Sequence, residues 1–241
     1  MVIESVNNAK VKNWNKLKEK KYRDLTGEFL IEGDHLLNEA MIRGVVKETI
    51  AIDKLFDFPG IPYYEVNEAI MKKLSNQVSF SKVMAVCKKI DAQEIKGNVC
   101  ILDNIQDPGN LGAIIRSAVA FNIETIVLSP DTVDLYNEKV IRASEGMLFH
   151  LNFVRGDIKE IIKNLKNSGY KIYGTNVENG TNLKEINFEG KTGIIIGNEG
   201  RGMKKELESY CDNLINIPIS DSCESLNAAI AASIIFYELG R

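Results

Sequence analysis

The 241-residue sequence predicts an α/β protein: a mostly parallel sheet flanked by helices, with a smaller α/β unit before it. From Val99 onwards, apolar strands alternate with helical patterns, and this alternation is typical of a parallel sheet covered by helices on both faces. With 44% apolar and 26% charged residues, the chain has the composition of an ordinary globular protein with a substantial core.

Composition and charge disfavour several classes of protein. No apolar run approaches the ~20 residues of a membrane span, and the first ten residues lack the apolar core of a signal peptide. We therefore expect a cytoplasmic protein without a membrane partner. Four scattered cysteines and two histidines offer poor material for a metal site, so reduced thiols and no metal are expected. The net charge of −3 is unlike that of a uniformly basic nucleic-acid-binding protein.

The first 23 residues form a predicted basic N-terminal extension. They contain seven lysines and arginines against two glutamates, with Trp14 and Tyr22 interleaved among them. Such a segment could contact a phosphate backbone while its aromatic rings stack on bases. An amphipathic helix with Trp14 and Leu17 facing inward explains the pattern equally well.

Residues 24–90 have the pattern of a small α/β unit. Strands are predicted at 28–32, 49–52, 62–66 and 83–86, and helices at 35–42 and 68–74. The polar, irregular stretch 75–82 is a candidate loop for binding a partner. Residues 91–98 are charged and polar, and we predict a linker there.

Residues 99–241 form the predicted larger unit. Its strands are predicted at 99–102, 124–128, 170–174, 192–196 and 214–217, and its helices at 111–121, 135–143, 158–168, 203–210 and 225–239. Ligands of such sheets bind at the carboxyl ends of the strands, so the turns that follow strands are the candidate sites. No Gly-x-Gly-x-x-Gly follows the first strand, which disfavours a dinucleotide-binding domain.

The first candidate turn opens the segment 103–118. Asn110 is a predicted N-cap for a helix that starts at Leu111. Arg116 follows six residues later, about 9 Å further along the helix axis. A cation so near the start of a helix is opposed by the helix dipole, so the position predicts an anionic partner.

Two further turns follow strands of the larger unit. Residues 197–202, with the sequence Gly-Asn-Glu-Gly-Arg-Gly, contain three glycines that permit close approach to the backbone, and Glu199 among them could accept hydrogen bonds. In the turn 220–227, Ser225 and Asn227 are either helix caps or residues that offer a hydroxyl and an amide to a bound ligand. Taken alone, the glycine turn with Glu199 is more typical of an ordinary strand-to-helix connection, and serine and asparagine at a helix start are usually caps.

Taken together, the three turns closely resemble the SpoU/TrmH family of SPOUT RNA 2′-O-ribose methyltransferases. The order is Asn-x-x-Asp-x-Gly-Asn-x-Gly-x-x-x-Arg, then Gly-Asn-Glu-Gly-x-Gly, then Ile-Pro-Ile followed by Glu-Ser-Leu-Asn-Ala-Ala. The likeness covers residues 99–240. Residues 20–90 are more loosely similar to the family's RNA substrate-binding domain. The resemblance implies S-adenosyl-L-methionine as methyl donor, an RNA substrate, a cytoplasmic homodimer and a C-terminal trefoil knot.

The resemblance also implies roles for individual residues. Arg116 would contact the target ribose or its phosphate and help to deprotonate the 2′-hydroxyl, and Asn110 would support it. The other implied catalytic residues are Glu199, Ser225 and Asn227. The implied cofactor-binding residues are Gly197, Asn198, Gly202, Ile217 and Leu226.

One departure from the family pattern lies at residues 142–146, where Glu145 stands at a position that is often small or apolar in the family. It affects the surface expected to face RNA. Arg142 next to it could meet an RNA phosphate, or it could be an ordinary exposed arginine.

The predicted function is RNA 2′-O-ribose methylation, with large-subunit ribosomal RNA as substrate because of the N-terminal domain. A transfer-RNA methyltransferase and a non-catalytic RNA-binding or ribosome-assembly protein of the same fold are the alternatives. A silent relative should lack Arg116, Asn110 or Asn227, and all three are present. A nucleotide-dependent oxidoreductase would also explain a parallel sheet with glycine turns, but it should carry the missing glycine motif.

Overall fold

The structure is a computed structural model that describes residues 1–176 and 180–240, and the chain forms two compact units. One unit comprises 1–90 together with 134–149, and the other comprises 91–133 together with 150–241. Within the described residues, none of the helices combines the length and apolarity needed to cross a bilayer.

The elements are numbered along the chain. The strands are β1 (Val2–Ile3), β2 (Glu28–Glu32), β3 (Val46–Ala51), β4 (Tyr63–Val66), β5 (Val83–Lys88), β6 (Asn98–Leu102), β7 (Ile123–Leu128), β8 (Asn152–Arg155), β9 (Lys171–Thr175), β10 (Thr181–Asn182), β11 (Thr192–Ile196) and β12 (Asn213–Asn216). The α-helices are α1 (Ala9–Lys16), α2 (Lys20–Thr26), α3 (Asp34–Arg43), α4 (Glu68–Leu74), α5 (Pro108–Ala120), α6 (Glu138–Ala143), α7 (Ile158–Asn167), α8 (Lys205–Glu208) and α9 (Ala228–Leu239).

The first unit is built on a five-stranded mixed sheet in the order β1-β4-β3-β5-β2. Helix α1 packs on it through Trp14, which is 3% exposed and donates from Nε1 to Glu48 Oε2 at 3.0 Å. Leu17 is buried as well. The interpretation of this segment as an amphipathic helix is therefore confirmed, and Trp14 is not available to stack on bases.

Residues 134–149, which the sequence assigns to the larger unit, pack in the first unit. Arg23, 5% exposed, donates from Nε and Nη2 to Asp134 Oδ2 at 3.0 and 2.6 Å. The ring of Phe29 contacts Tyr136, with 4.6 Å between centroids, and stacks on Phe149. Because these contacts join residues more than 100 positions apart, no local pattern could predict them.

The second unit contains a seven-stranded sheet in the order β10-β12-β9-β11-β6-β7-β8, and every neighbouring pair is parallel. Its central strands carry fully buried side chains such as Ile101 on β6 and Ile195 on β11, which pair in register. The predicted fold class, a mostly parallel sheet flanked by helices with a smaller α/β unit, is confirmed. The burial of the central strands on both faces explains their continuous apolar runs. The knot implied by the family resemblance stays a prediction.

Every predicted strand is present, but three short strands were not predicted. Strands β1 and β10 have two residues each, and β8 has four. Such short strands depend on pairing with distant neighbours, since two to four residues carry no readable alternation. Strand β8 pairs with β7, for example through Phe153 and Ile126.

Several helix starts differ from prediction because the capping residue is a different one. Helix α5 begins at Pro108 instead of Leu111, and α6 begins after Asn137, whose side chain accepts from Lys139 N. Helix α9 begins at Ala228 instead of Ser225, and α8 is a single turn instead of the predicted 203–210. The changes at α5 and α9 decide which side chains are available at the candidate site.

Candidate active site

The three sequence motifs meet in the second unit through one chain of hydrogen bonds. Asn110 in α5 donates from Nδ2 to Glu199 Oε1 at 3.0 Å, and Asn227 before α9 donates from Nδ2 to Asn110 Oδ1 at 2.8 Å. One amide thus joins the turns that follow β6, β11 and β12. These contacts link residues 89 and 117 positions apart.

The predicted role of Asn110 as the N-cap of α5 is wrong. Asp107 caps the helix: its Oδ1 accepts from Asn110 N at 2.8 Å, and Pro108 occupies the first turn, where a missing N–H costs nothing. Because Asp107 satisfies the helix end, the amide group of Asn110 is free to bridge the other two motifs.

Asn227 takes the first of the two roles that the sequence left open, the helix cap, and it also bonds to α5. Its Oδ1 accepts from Ala229 N at 2.9 Å and from Ile230 N at 3.3 Å, which caps α9. Its Nδ2 simultaneously donates to Asn110. Since an asparagine side chain carries both an acceptor and donors, one residue can start the helix and fix its position against α5.

Glu199 accepts hydrogen bonds with both carboxylate oxygens. The donors are Asn110 Nδ2 (3.0 Å), Asp107 N (3.2 Å), Gln106 N (3.3 Å) and Asn198 Nδ2 (3.3 Å). Partial burial by itself would raise the pKa of Glu199, but hydrogen bonds from the Asn110 amide and from backbone N–H groups outweigh it and hold that pKa below its ordinary value. Glu199 is therefore an ionised acceptor that organises the turn after β6.

We predict that Glu199→Gln lowers the free energy of unfolding at pH 7 by about 1 to 2 kcal/mol, because an amide supplies one acceptor oxygen in place of two charged ones. A lowered folded-state pKa stabilises the fold above the unfolded-state pKa and ceases to do so as the pH falls through the folded value. The difference between wild type and variant should therefore shrink below about pH 4. Urea unfolding at several pH values measures it.

Glu224→Gln is the matched control, since Glu224 is exposed and lies in the nearby turn 220–227. Its effect at pH 7 should stay within about 0.5 kcal/mol. A Glu199→Gln effect no larger than that of the control, or one that grows as the pH falls, would contradict the assigned role.

The turn after β11 is shaped by a glycine that no other residue can replace without a backbone shift. A Cβ on Gly197 would lie 2.0 Å from Met203 N and 2.2 Å from Gly202 C. The chain returns this closely because Asn198 and Gly202 exchange two backbone hydrogen bonds of 3.0 and 2.9 Å, with Gly202 at φ 68°. The Asn198 side chain also donates to Asn104 O at 2.8 Å. Asn198 and Gly202 therefore build the turn.

Asp103 anchors the far end of the same turn, and the sequence analysis gave it no role. It is 1% exposed, its Oδ2 accepts from Lys204 N at 2.9 Å, and Lys204 Nζ lies 3.3 Å from its other oxygen. The available signal was a carboxylate placed directly after a buried strand. Asp103 joins the end of β6 to the segment that leaves the turn after β11.

A pocket of about 390 Å³ lies at the carboxyl ends of the neighbouring strands β9, β11 and β12. All the predicted cofactor-binding residues line the pocket, namely Gly197, Asn198, Gly202, Ile217 and Leu226. Glu199 and Ser225 line it as well. Thr175 and Asn176 line it too, and sequence reasoning missed them because β9 ends without a recognisable motif. Ile219, in the Ile-Pro-Ile motif, was not singled out either. The size of the pocket is typical of a cofactor pocket.

Ser225 and Arg116 lie outside the hydrogen-bonded chain. Ser225 is exposed on the pocket wall. Arg116 is exposed in the third turn of α5, and its guanidinium makes no hydrogen bond or ion pair with any residue that the structure describes. Because α5 begins at Pro108, Arg116 is too far from the helix start for the dipole to act strongly on it, so that part of the sequence argument is wrong.

The motifs that meet beside this pocket are those that resemble SPOUT methyltransferases, and the likeness to known SpoU methyltransferases puts the chain in that class. The SpoU rRNA Methylase family matches residues 97–237, and an MRM3-like substrate binding domain matches residues 8–85. The chain belongs to the SpoU rRNA methylase family. The resemblance found from the three turns is thereby confirmed.

Known relatives match almost the whole chain. The 23S rRNA (guanosine(2553)-2′-O)-methyltransferase RlmP of Bacillus subtilis strain 168 is 37% identical over 243 residues, which cover 98% of each chain. The AdoMet-bound rRNA methyltransferase from Sinorhizobium meliloti superposes with a TM-score of 0.90 at 26% identity, covering 99% of this chain and 97% of that one. The SpoU methyltransferase AviRb from Streptomyces viridochromogenes, in complex with AdoMet, gives 0.86 at 26% identity and 98% coverage of each.

Proposed function

We propose that this protein is an S-adenosylmethionine-dependent 2′-O-ribose methyltransferase acting in the cytoplasm on large-subunit ribosomal RNA. The observation that carries the proposal is the hydrogen-bonded chain from Glu199 through Asn110 to Asn227, because it unites the three family motifs beside one pocket. The Bacillus relative is named as a 23S rRNA methyltransferase, which supports ribosomal RNA over transfer RNA as substrate.

The pocket is suited to the cofactor. The turn at Gly197 is so tight that backbone groups line the pocket where a side chain would otherwise stand. Backbone donors and acceptors beside the apolar side chains of Ile217 and Leu226 suit a flat adenine ring with a polar edge. When bound, S-adenosylmethionine supplies a methyl group activated by a positively charged sulfur.

Arg116 is the proposed catalytic cation. Its side chain is free of partners in the described part of the chain, so it can reach an RNA phosphate or ribose. An arginine side chain is a donor and not a base at neutral pH. We therefore assign the proton of the 2′-hydroxyl to a phosphate oxygen of the target nucleotide, while the guanidinium stabilises the negative charge that develops on the 2′-oxygen.

The three-residue chain acts by positioning. Asn110 and Arg116 are on the same helix, so fixing the amide to Glu199 and Asn227 fixes the helix that carries the guanidinium. Because α5 is held against the turn that lines the pocket, the position of the Arg116 guanidinium relative to the pocket is restricted before RNA binds. Such alignment of reacting groups supplies a large part of enzymatic rate enhancement. We assign to the Ser225 hydroxyl, on the pocket wall, a hydrogen bond to the cofactor or the ribose.

A homodimer is part of the proposal, and helix α9 supplies its interface. Ile230, Ile234 and Tyr237 are 53%, 36% and 51% exposed and share one face at positions i, i+4 and i+7. The opposite side of α9 carries the buried residues Ala232, Ile235 and Phe236, and at the edge of the stripe the Ser233 hydroxyl lies 2.6 Å from that of Ser117 on α5. An apolar stripe on a helix beside the site suits a second copy of the chain.

We expect Ile230→Asp combined with Ile234→Asp to convert a dimer into monomers, because it buries two carboxylates in the stripe. Sedimentation velocity at micromolar concentration measures the change. Ile42→Asp is the control, since Ile42 is 75% exposed on α3 and should leave the dimer intact. A monomeric wild type, or a variant that stays dimeric, would refute this interface.

The direct test of function uses labelled S-adenosylmethionine with purified ribosomal RNA and, separately, transfer RNA. We expect label in ribosomal RNA as a 2′-O-methyl nucleoside, at one position that is unmodified in cells lacking the gene. Labelled transfer RNA alone would favour the alternative substrate. Binding of RNA without label transfer would indicate a non-catalytic protein.

A further inference from the structure

A second cavity lies entirely within the first unit and has no part in the site described above. It has a volume of about 70 Å³, and buried side chains form its floor, among them Leu36, Leu74 and Met84. Its rim is polar and combines residues of the segment after α4 with residues of α6. The floor therefore offers an apolar surface directly beneath hydrogen-bonding groups.

The charges around this cavity cancel. Lys18 and Arg142 line it on the positive side, and Glu32 and Glu138 on the negative side. Arg23 also lines the cavity, but its guanidinium is bound to Asp134. A balanced rim disfavours an isolated phosphate, which the two carboxylates would repel. It favours a neutral ligand that has both donors and acceptors.

Some rim groups are engaged and others are free. Glu32 accepts from Ser75 Oγ at 2.9 Å, and Lys18 Nζ donates to the Ser75 carbonyl oxygen at 3.2 Å, so these two groups build the wall. Gln77 and Arg142 are exposed, and their side chains make no hydrogen bond with the residues that the structure describes. The two free groups are the ones that a ligand can meet without breaking the fold.

Asn76 and Glu138 are hydrogen bonded to each other from the two sides of the rim. Both residues are exposed, so their bond competes with water and can open at small cost. Opening it would offer an amide and a carboxylate to a ligand entering the cavity.

We propose that one unpaired nucleobase of the RNA substrate, other than the methylated one, docks at the mouth of this cavity, whose volume of about 70 Å³ admits part of the ring while the rest stays in solvent. A base has a flat apolar face for the leucine and methionine floor and an edge of donors and acceptors for Gln77 and Arg142. The inference rests on the proposed function, because it takes RNA to be the substrate. It assigns to the first unit the recognition of an extruded base in addition to phosphate contacts.

The test compares two double variants in the full-length protein. Gln77→Ala with Arg142→Ala removes the free rim groups, whereas Val78→Ala with Lys139→Ala changes an exposed neighbour in each segment and removes the same charge outside the cavity. Binding is measured with a ribosomal RNA fragment and its derivatives, in which each unpaired nucleotide in turn is replaced by an abasic ribose.

For wild type and the control, one abasic position should weaken RNA binding about tenfold or more, which is the typical contribution of one bound base. The rim variant should bind the intact RNA as weakly as wild type binds the abasic RNA. In the rim variant, the same abasic replacement should then cause no further loss of RNA affinity. The affinity for S-adenosylmethionine should be unchanged in both variants. Equal abasic losses in the rim variant and the control would overturn the inference.

Two further measurements distinguish a failure of the proposed base site from a failure of the proposed function. If the rim variant lost affinity equally for every abasic RNA and showed a shallower dependence on salt, Arg142 would bind phosphate and the base pocket would be refuted. Methyl transfer by wild type to the intact fragment tests the proposed function independently. Transfer with no abasic effect at any position would sustain the proposed function and refute the cavity as a base site.

Discussion

Arg116→Ala is expected to lower kcat for methyl transfer by about 100- to 1,000-fold while the affinity for S-adenosylmethionine stays within a few-fold. The rate falls because the variant lacks the donor that stabilises charge on the 2′-oxygen. Removing one such donor lowers the rate by a factor of this size in other enzymes. The cofactor should be unaffected because Arg116 does not line the pocket. Single-turnover transfer to RNA and calorimetric titration with S-adenosylmethionine measure the two quantities.

Two variants accompany Arg116→Ala. Arg116→Lys keeps the charge but loses the planar fork of donors, so it should recover only part of the rate. Lys184→Ala removes an exposed cation elsewhere in the second unit and should leave kcat unchanged. Near-normal turnover of Arg116→Ala would exclude this residue from the mechanism, and an equal loss in Lys184→Ala would point to a general electrostatic effect.

Gly197→Ala is expected to raise the Kd for S-adenosylmethionine by about 100-fold or more, which corresponds to about 2.7 kcal/mol. The added Cβ would stand 2.0 Å from Met203 N, and a clash with backbone cannot be relieved by turning a side chain. The turn must open, which breaks the paired hydrogen bonds between Asn198 and Gly202 and deforms the pocket wall. We also expect a loss of about 2 to 4 kcal/mol in the free energy of unfolding.

Gly200→Ala is a close control in the same turn. A Cβ there meets only Asn198 Oδ1, at an ordinary 3.8 Å, and its φ is not in the left-handed region. Its cofactor affinity and melting temperature should stay near those of wild type. If Gly197→Ala bound S-adenosylmethionine as Gly200→Ala does, the tight turn at Gly197 would not be what shapes the pocket.

Much of the architecture could be predicted from local patterns. Long apolar strands such as β6 and β11 are readable because both of their faces are buried, so the pattern is a continuous run. Helix starts were less certain, since Asp107 and Asn110 are both good caps three positions apart and only the folded structure selects between them. The identity of the cap matters because it determines whether the Asn110 side chain bonds to the start of α5 or to Glu199.

The basic N-terminal segment shows the opposite limit. Its composition suits RNA binding, but several of its side chains make contacts within the protein instead. Trp14 is buried, Lys10 pairs with Glu48 at 2.9 Å, and Lys18 donates to two carbonyl groups. Removing residues 1–90 would also strip 134–149 of their partners, so truncation cannot cleanly separate RNA binding from catalysis. The point variants above avoid that difficulty.

By itself, the sequence determined the parallel α/β class, the three strand-end turns and the family that carries them, because strand burial, turn chemistry and motif order are encoded over a few neighbouring residues. Only the tertiary structure decided that Asn110 bridges Glu199 and Asn227, that Asp103 anchors the turn after β11, and that residues 134–149 complete the first unit. These features depend on contacts between residues from 89 to 120 positions apart, and distances across a fold follow from packing, which no local pattern contains.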